Sequence, residues 1–129
     1  MVTAYLDTSA AMKLVVDEPE SEALVTELTT TSDRKLAASW LLHTELHCAA
    51  GRNPAVIPID SITTVLDAVI LADITRGDLI SAGTHAPLRS NDAIHLATAL
   101  RLGVDELFTY DAELARAATA AGIHVVAPE

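Results

Sequence analysis

VTAYLDTSAAMKLVV, residues 2–16, passes from a short β-branched and apolar run, through an Asp-Thr-Ser cluster, into an apolar stretch. The run VTAYL predicts a buried strand. Asp7-Thr8-Ser9 then supplies helix-start chemistry for AAMKLVV, because these short polar side chains accept hydrogen bonds from the first free N–H groups of a helix. The other end of the chain repeats the pattern: ELFTY reads as a strand, Asp111 starts the helix AELARAATAA, Gly122 ends it, and IHVVA forms a last strand.

Between these ends the same alternation continues. The acidic stretch Asp17–Glu27 predicts a second helix with its glutamates largely in solvent, followed by a Thr/Ser-rich turn and the strand KLAAS. A third helix is expected from Trp40 to Ala50, stopping at Gly51. NPAVIPID reads as a loop, followed by a helix from Ser61, a strand from Val69 to Ile74 and a short helix from Asp78 to Gly83. Ser90-Asn91-Asp92 is a further helix-start cluster, leading into AIHLATALRL and ending at Gly103. Strands alternating with helices predict a three-layer α/β/α sandwich around a mainly parallel sheet, formed as one domain over residues 1–129. Such sheets bind ligands in the crevice beyond the carboxyl ends of their strands.

Composition narrows the function classes. Eighteen acidic residues against eight basic ones give a formal charge of −10, which disfavours RNA binding through a broad basic face and suits divalent cations and a basic protein partner. Four aromatic residues are too few for the stacking platform of an RNA-recognition sheet. The single cysteine, Cys48, excludes an internal disulfide and reads as a small buried hydrophobe in a reducing compartment. The opening residues carry no basic leader and place Asp7 where a signal peptide needs an apolar run, so a cytoplasmic location is expected.

Asp7 and Asp111 each follow a predicted strand and open a helix, so a parallel arrangement brings both to one sheet edge. Asp92 opens a helix that faces the same crevice, and Glu45 is long enough to reach in from helix three. Each aspartate taken singly also fits a plain helix cap, and Glu45 a solvated helix face. Together they suit a hard divalent cation, which takes oxygen ligands and, for Mg²⁺, keeps several waters. A cation so held polarises a phosphate and activates water, which removes the need for a side-chain nucleophile.

Four blocks, YLDTSA, TELHCAAGR, SNDAIHLATAL and LFTYDAEL, resemble in order the acidic motifs of the PIN-domain ribonucleases, and among them the VapC-type toxins of toxin–antitoxin pairs. The likeness spans essentially the whole chain and is weakest from Asn53 to Leu88. It implies Mg²⁺- or Mn²⁺-dependent endonucleolytic cleavage of structured RNA such as tRNA or rRNA, inhibition of translation, a cognate antitoxin and a homodimer. It also implies that Asp7, Glu45 and Asp92 are the core metal ligands, for one or two ions, with Asp111 the fourth acid acting directly or through water. Thr8, Ser9 and Asn91 are candidates to hold waters or orient those ligands. Arg52 and Arg89 flank acidic motifs and are candidates for phosphate contact, since guanidinium pairs phosphate bidentately; surface salt bridging is the alternative for both.

Other chemistries meet specific obstacles. His43-Thr-Glu-Leu-His47 places two histidines on one helix face, but Glu45 lies about 200° round the helix from each, so a zinc peptidase site does not form. His95, one turn after Asp92, is placed to touch the catalytic edge but reads better as a hydrogen-bonded packing residue. A phosphoacceptor signalling domain uses a similar acidic Mg²⁺ pocket, yet it resembles a chain with an acidic doublet after strand one and a lysine after a late strand; this sequence has a lone Asp7 and Tyr110-Asp111 there. A haloacid-dehalogenase-like phosphatase wants an aspartate where Ser9 stands.

Overall fold

The fold is that of a computed structural model, which describes residues 1–30 and 33–129. Twelve elements follow in order: β1 (Val2–Leu6), α1 (Thr8–Val15), α2 (Ser21–Thr30), β2 (Arg34–Ser39), α3 (Trp40–Arg52), α4 (Ile59–Asp67), β3 (Ile70–Ala72), α5 (Arg76–Ala82), α6 (Ser90–Leu102), β4 (Glu106–Phe108), α7 (Ala112–Ala120) and β5 (His124–Val126). The five strands form one parallel sheet in the order β3-β2-β1-β4-β5. Helices in two packed sets, α1 with α2, α3 and α4, and α6 with α5 and α7, complete the three-layer α/β/α sandwich.

β1 is central because its sequence allows it to be. Ala4, Tyr5 and Leu6 are fully buried, as a parallel strand covered on both faces requires, and their neighbours Leu107 and Phe108 on β4 are buried too. The chain moves outward from β1 through β2 to β3, then returns to the far side of β1 as β4. This reversal of strand order opens a crevice at the carboxyl ends of β1 and β4. Turn chemistry punctuates that edge: Asp7 caps α1, Ser39 caps α3 and Asp111 caps α7, each through a side-chain oxygen that accepts a backbone N–H. At the opposite end, Gly103 and Gly122 follow α6 and α7 in the left-handed conformation that ends a helix, with φ of 65° and 93°.

Several boundaries differ from expectation, each for a local reason. α2 begins at Ser21 rather than Asp17. Pro19 disfavours helix at Glu18, and the Ser21 hydroxyl accepts from the Glu18 N–H at 2.9 Å while donating to the Val16 carbonyl at 3.1 Å. Lys13, 2.9 Å from Glu20, ties the acidic segment back to α1. α3 runs through Gly51 to Arg52, because Pro54 rather than the glycine stops it. α4 starts at Ile59, and β3 shrinks to three residues. The Thr/Ser-rich turn before β2 falls in part on residues 31 and 32, outside the described residues. Met12, Leu14 and Leu100 are partly buried against the main core, and Ile94 against a smaller cluster. Cys48 is exposed, contrary to its reading as a buried hydrophobe, because it sits on the solvent side of α3 beside the buried Ala49 and Ala50. No helix among the described residues is long and apolar enough to cross a membrane.

Leu24 is the fully buried anchor of α2, far in sequence from every acidic motif. Leu24→Ala is expected to cost about 2–5 kcal/mol in urea unfolding, the usual range for emptying a packed leucine site. A loss below about 1 kcal/mol would show that α2 is not part of the cooperative core.

Candidate active site

At the strand-order reversal lies a cavity of about 420 Å³ lined by Asp7, Thr8, Ser9, Glu45, Arg89, Ser90, Asn91, Asp92 and Asp111. All four acidic positions singled out in the sequence line it, from four separate segments, together with Thr8, Ser9, Asn91 and Arg89. Arg52 does not line it, being at the last turn of α3 beyond Glu45. A larger cavity of about 520 Å³ lies against α7, beside His85 and Arg116, but Glu113 is its one acid, so the carboxylate chemistry belongs to the smaller site.

Of the four acids Asp7 is the most enclosed, 2% exposed. One carboxylate oxygen accepts from the Ala10 N–H at 2.9 Å and from the Ser9 hydroxyl at 2.8 Å; the other accepts from the Thr109 hydroxyl at 2.6 Å. The same hydroxyls latch the neighbouring turn, Ser9 Oγ accepting from the Tyr110 N–H at 2.9 Å and Thr109 Oγ1 from the Asp111 N–H at 3.0 Å. Burial pushes the Asp7 carboxyl above the usual aspartate range, against the pull of the Thr109, Ala10 and Ser9 hydrogen bonds.

Glu45 is held differently. Its Oε1 accepts from Thr8 Oγ1 and from His95 Nε2, both at 2.7 Å, and its Oε2 accepts from the Asn91 amide at 3.3 Å. Burial works against its charge, but the His95 and Thr8 hydrogen bonds hold the carboxyl below the usual glutamate range. Asp92 stands at the third residue of α6, whose cap position, Arg89, makes no side-chain cap bond; Asp92 is therefore not a helix cap. Burial, then the charges of Asp111 and Asp7, push its carboxyl up. Asp111 caps α7 with Oδ1, 2.8 Å from the Leu114 N–H, and stays partly exposed at the rim.

The donor set is all oxygen, which fits a hard divalent cation. As the side chains stand, no three His, Cys, Asp or Glu groups among the described residues close around a single point. The arrangement therefore suits an ion held by one or two carboxylates directly and otherwise through water, the usual manner of Mg²⁺. The histidine pair forms no site with Glu45: His43 and His47 stack at 4.1 Å between ring centroids, with Trp40 5.2 Å from His43, while Glu45 lines the cavity. Neither lysine, Lys13 or Lys35, lines the cavity, which leaves the phosphoacceptor reading without the lysine it needs and disfavours it. Sequence reasoning does not find Thr109, Tyr5 or Ser39, and for His95 it prefers a hydrogen-bonded packing role to a contact with the catalytic edge. Thr109 carries a faint signal, a hydroxyl two residues before a strand-end aspartate.

A family model described as PIN domain matches residues 4–120. Among curated relatives, Ribonuclease VapC46 of Mycobacterium tuberculosis is 40% identical over 140 residues, covering 99% of each chain. Among solved structures, a toxin–antitoxin complex from Klebsiella pneumoniae aligns with a TM-score of 0.70 and 21% identity over 98% of each chain. Mycobacterium tuberculosis VapC20, described as a sarcin–ricin loop cleaving toxin, aligns with a TM-score of 0.72 and 14% identity over 93% of this chain and 95% of its own. At such identities what the two structures show of this chain is its fold.

The raised carboxyl of Asp92 has a sign that can be measured. A folded-state pKa above the unfolded one favours folding below the ordinary aspartate value of about 3.9 and loses that benefit as pH rises through the raised value. Ionised Asp92 therefore weakens the cation-free fold at neutral pH. Asp92→Asn is expected to raise the thermal midpoint in EDTA at neutral pH and to leave it unchanged near pH 3, where both side chains are neutral. A lower midpoint at neutral pH would contradict this reading of the cavity.

Proposed function

The chain belongs to the PIN-domain family, and from that membership we propose that it is a divalent-metal-dependent endoribonuclease, the toxin of a toxin–antitoxin pair. The observation that carries this reading is the convergence of Asp7, Glu45, Asp92 and Asp111 in one cavity at the strand-order reversal. Asp7, Glu45 and Asp92 would hold Mg²⁺ or Mn²⁺, as one ion or two, with one or two of these carboxylates bound directly and the remainder through water, and Asp111 would act directly or through water. When bound, a divalent cation polarises the scissile phosphate and makes water nucleophilic at neutral pH.

The chain's own groups do the rest. Asp7 is fixed by Ser9, Thr109 and the α1 N-terminus, so it meets its ligand with little reorganisation. Arg89 lines the cavity and offers a guanidinium to a phosphate oxygen, locally offsetting the −10 net charge. Asp111 uses Oδ1 in its cap, leaving Oδ2 to accept a hydrogen bond from water at the open rim. Ser90 and Asn91 present side chains in the first turn of α6, and the Asn91 amide keeps Glu45 Oε2 in place.

The substrate is a structured RNA of the translation machinery, tRNA or rRNA, a reading supported by the ribonuclease name of VapC46 and by the sarcin–ricin loop cleavage ascribed to VapC20. The acidic surface supports a basic antitoxin segment lying across the crevice, and the protein works as a cytoplasmic homodimer. Among the described residues that line the cavity Arg89 alone offers positive charge, so selection of the RNA depends on its shape at the cavity more than on long-range attraction.

Purified, partner-free protein incubated with total cellular RNA is expected to give discrete fragments with Mg²⁺ or Mn²⁺ and none with excess EDTA. Asp7→Asn and Asp92→Asn are expected to retain the fold and lose about a thousandfold in rate, equivalent to about 4 kcal/mol of transition-state stabilisation. Metal-independent cleavage, or near-normal turnover in a folded Asp92→Asn protein, would refute the assignment.

A further inference from the structure

One buried chain of hydrogen bonds connects the middle of the sheet to the cavity. Tyr5 and His95 lie 0% and 1% exposed, and the Tyr5 hydroxyl is 2.7 Å from His95 Nδ1. The Ser39 N–H donates to the same hydroxyl at 3.2 Å, and His95 Nε2 is 2.7 Å from Glu45 Oε1. The direction of the chain is set from both ends. A backbone N–H can only donate, so the Tyr5 oxygen accepts from Ser39; an ionised carboxylate can only accept, so Nε2 carries the ring proton. In a ring with one proton Nδ1 is then left as the acceptor for the tyrosine O–H.

We infer that Tyr5 and His95 are positioning residues that fix the orientation of Glu45 as a cation ligand, through a single ring tautomer selected by Tyr5. The inference rests on the metal-dependent reading of the site. The phenol O–H faces Nδ1 at 2.7 Å and is the one proton the Tyr5 side chain has to donate. The ring is further fixed edge-on to Tyr5, with centroids 5.7 Å apart and planes at 73°. Thr8 Oγ1 completes the hold on the same carboxylate oxygen at 2.7 Å, leaving Oε2 with only the longer Asn91 contact and free to face an ion. β1 thereby sets two of the four acids, Asp7 at its end by direct succession and Glu45 through the Tyr5 side chain. A packing histidine needs only a filled volume; this one needs a donor on Nε2 and an acceptor on Nδ1.

The test is Mn²⁺ binding to the full chain by calorimetry, for wild type and for Tyr5→Phe, His95→Asn and His95→Gln, with circular dichroism to establish folding. His95→Asn is expected to weaken Mn²⁺ binding about 10–100-fold, the usual effect of losing a group that orients a ligand. His95→Gln, whose amide can replace the Nε2 donor, is expected to recover most of that loss, and Tyr5→Phe to fall between. Folded Tyr5→Phe and His95→Asn proteins that bind Mn²⁺ as wild type does would overturn the inference alone. Wild type that binds no Mn²⁺ would overturn the metal reading and the inference together. Independently of any variant, long-range proton–nitrogen NMR spectra of the wild type are expected to show His95 protonated on Nε2 and bare on Nδ1; a protonated Nδ1 would overturn the proposal.

Discussion

Like charges brought into one partly dry cavity repel, and the structure has to be built around that repulsion. Asp7 is nearly sealed from solvent and Asp92 is half-buried beside Asp111, so each carboxylate loses hydration where its neighbours are also negative. Hydrogen bonds offset the penalty unevenly. Asp7 and Glu45 are surrounded by hydroxyl, amide and imidazole donors, while burial and negative neighbours dominate the environment of Asp92. A cluster in which hydrogen bonds settle Glu45 while burial leaves the Asp7 and Asp92 carboxyls pushed up is incomplete without positive charge, and a divalent cation is the compact way to supply it.

Topology makes this arrangement possible at small size. Reversal of strand order beside β1 places two strand ends next to each other, and the Asp7 N–H donates to the Phe108 carbonyl at 3.2 Å across that junction. Because Asp7 and Asp111 each cap a helix, the bonds that start α1 and α7 also aim two acids along one sheet edge. Stability and function share these residues, so the site carries a cost that the apolar core must cover.

Much of this is legible in the sequence because strand ends and helix caps leave local marks: apolar runs give β1 and β4, and Asp after such a run gives both the turn and the site. Glu45 is different, since nothing in the periodicity of α3 separates it from a solvated residue, and only its likeness to a family motif marks it. Tyr5 and His95 are not legible as partners because they meet across 90 residues of chain, a relation no local pattern encodes. Arg52 sits near Glu45 in sequence as Arg89 does near Asp92, yet α3 carries it away from the cavity. Helix ends depart from expectation where a neighbouring proline, rather than the expected residue, decides the boundary, as at Pro19 and Pro54.

Anomalous diffraction from crystals grown with Mn²⁺ bears most directly on the claim that these four acids form a cation site. A peak is expected inside the cavity, within ligand distance of Asp7 or Asp92, with Glu45 still bonded to His95. Crystals with ordered cavity side chains and no Mn²⁺ among them, or with the ion bound only elsewhere on the acidic surface, would contradict it.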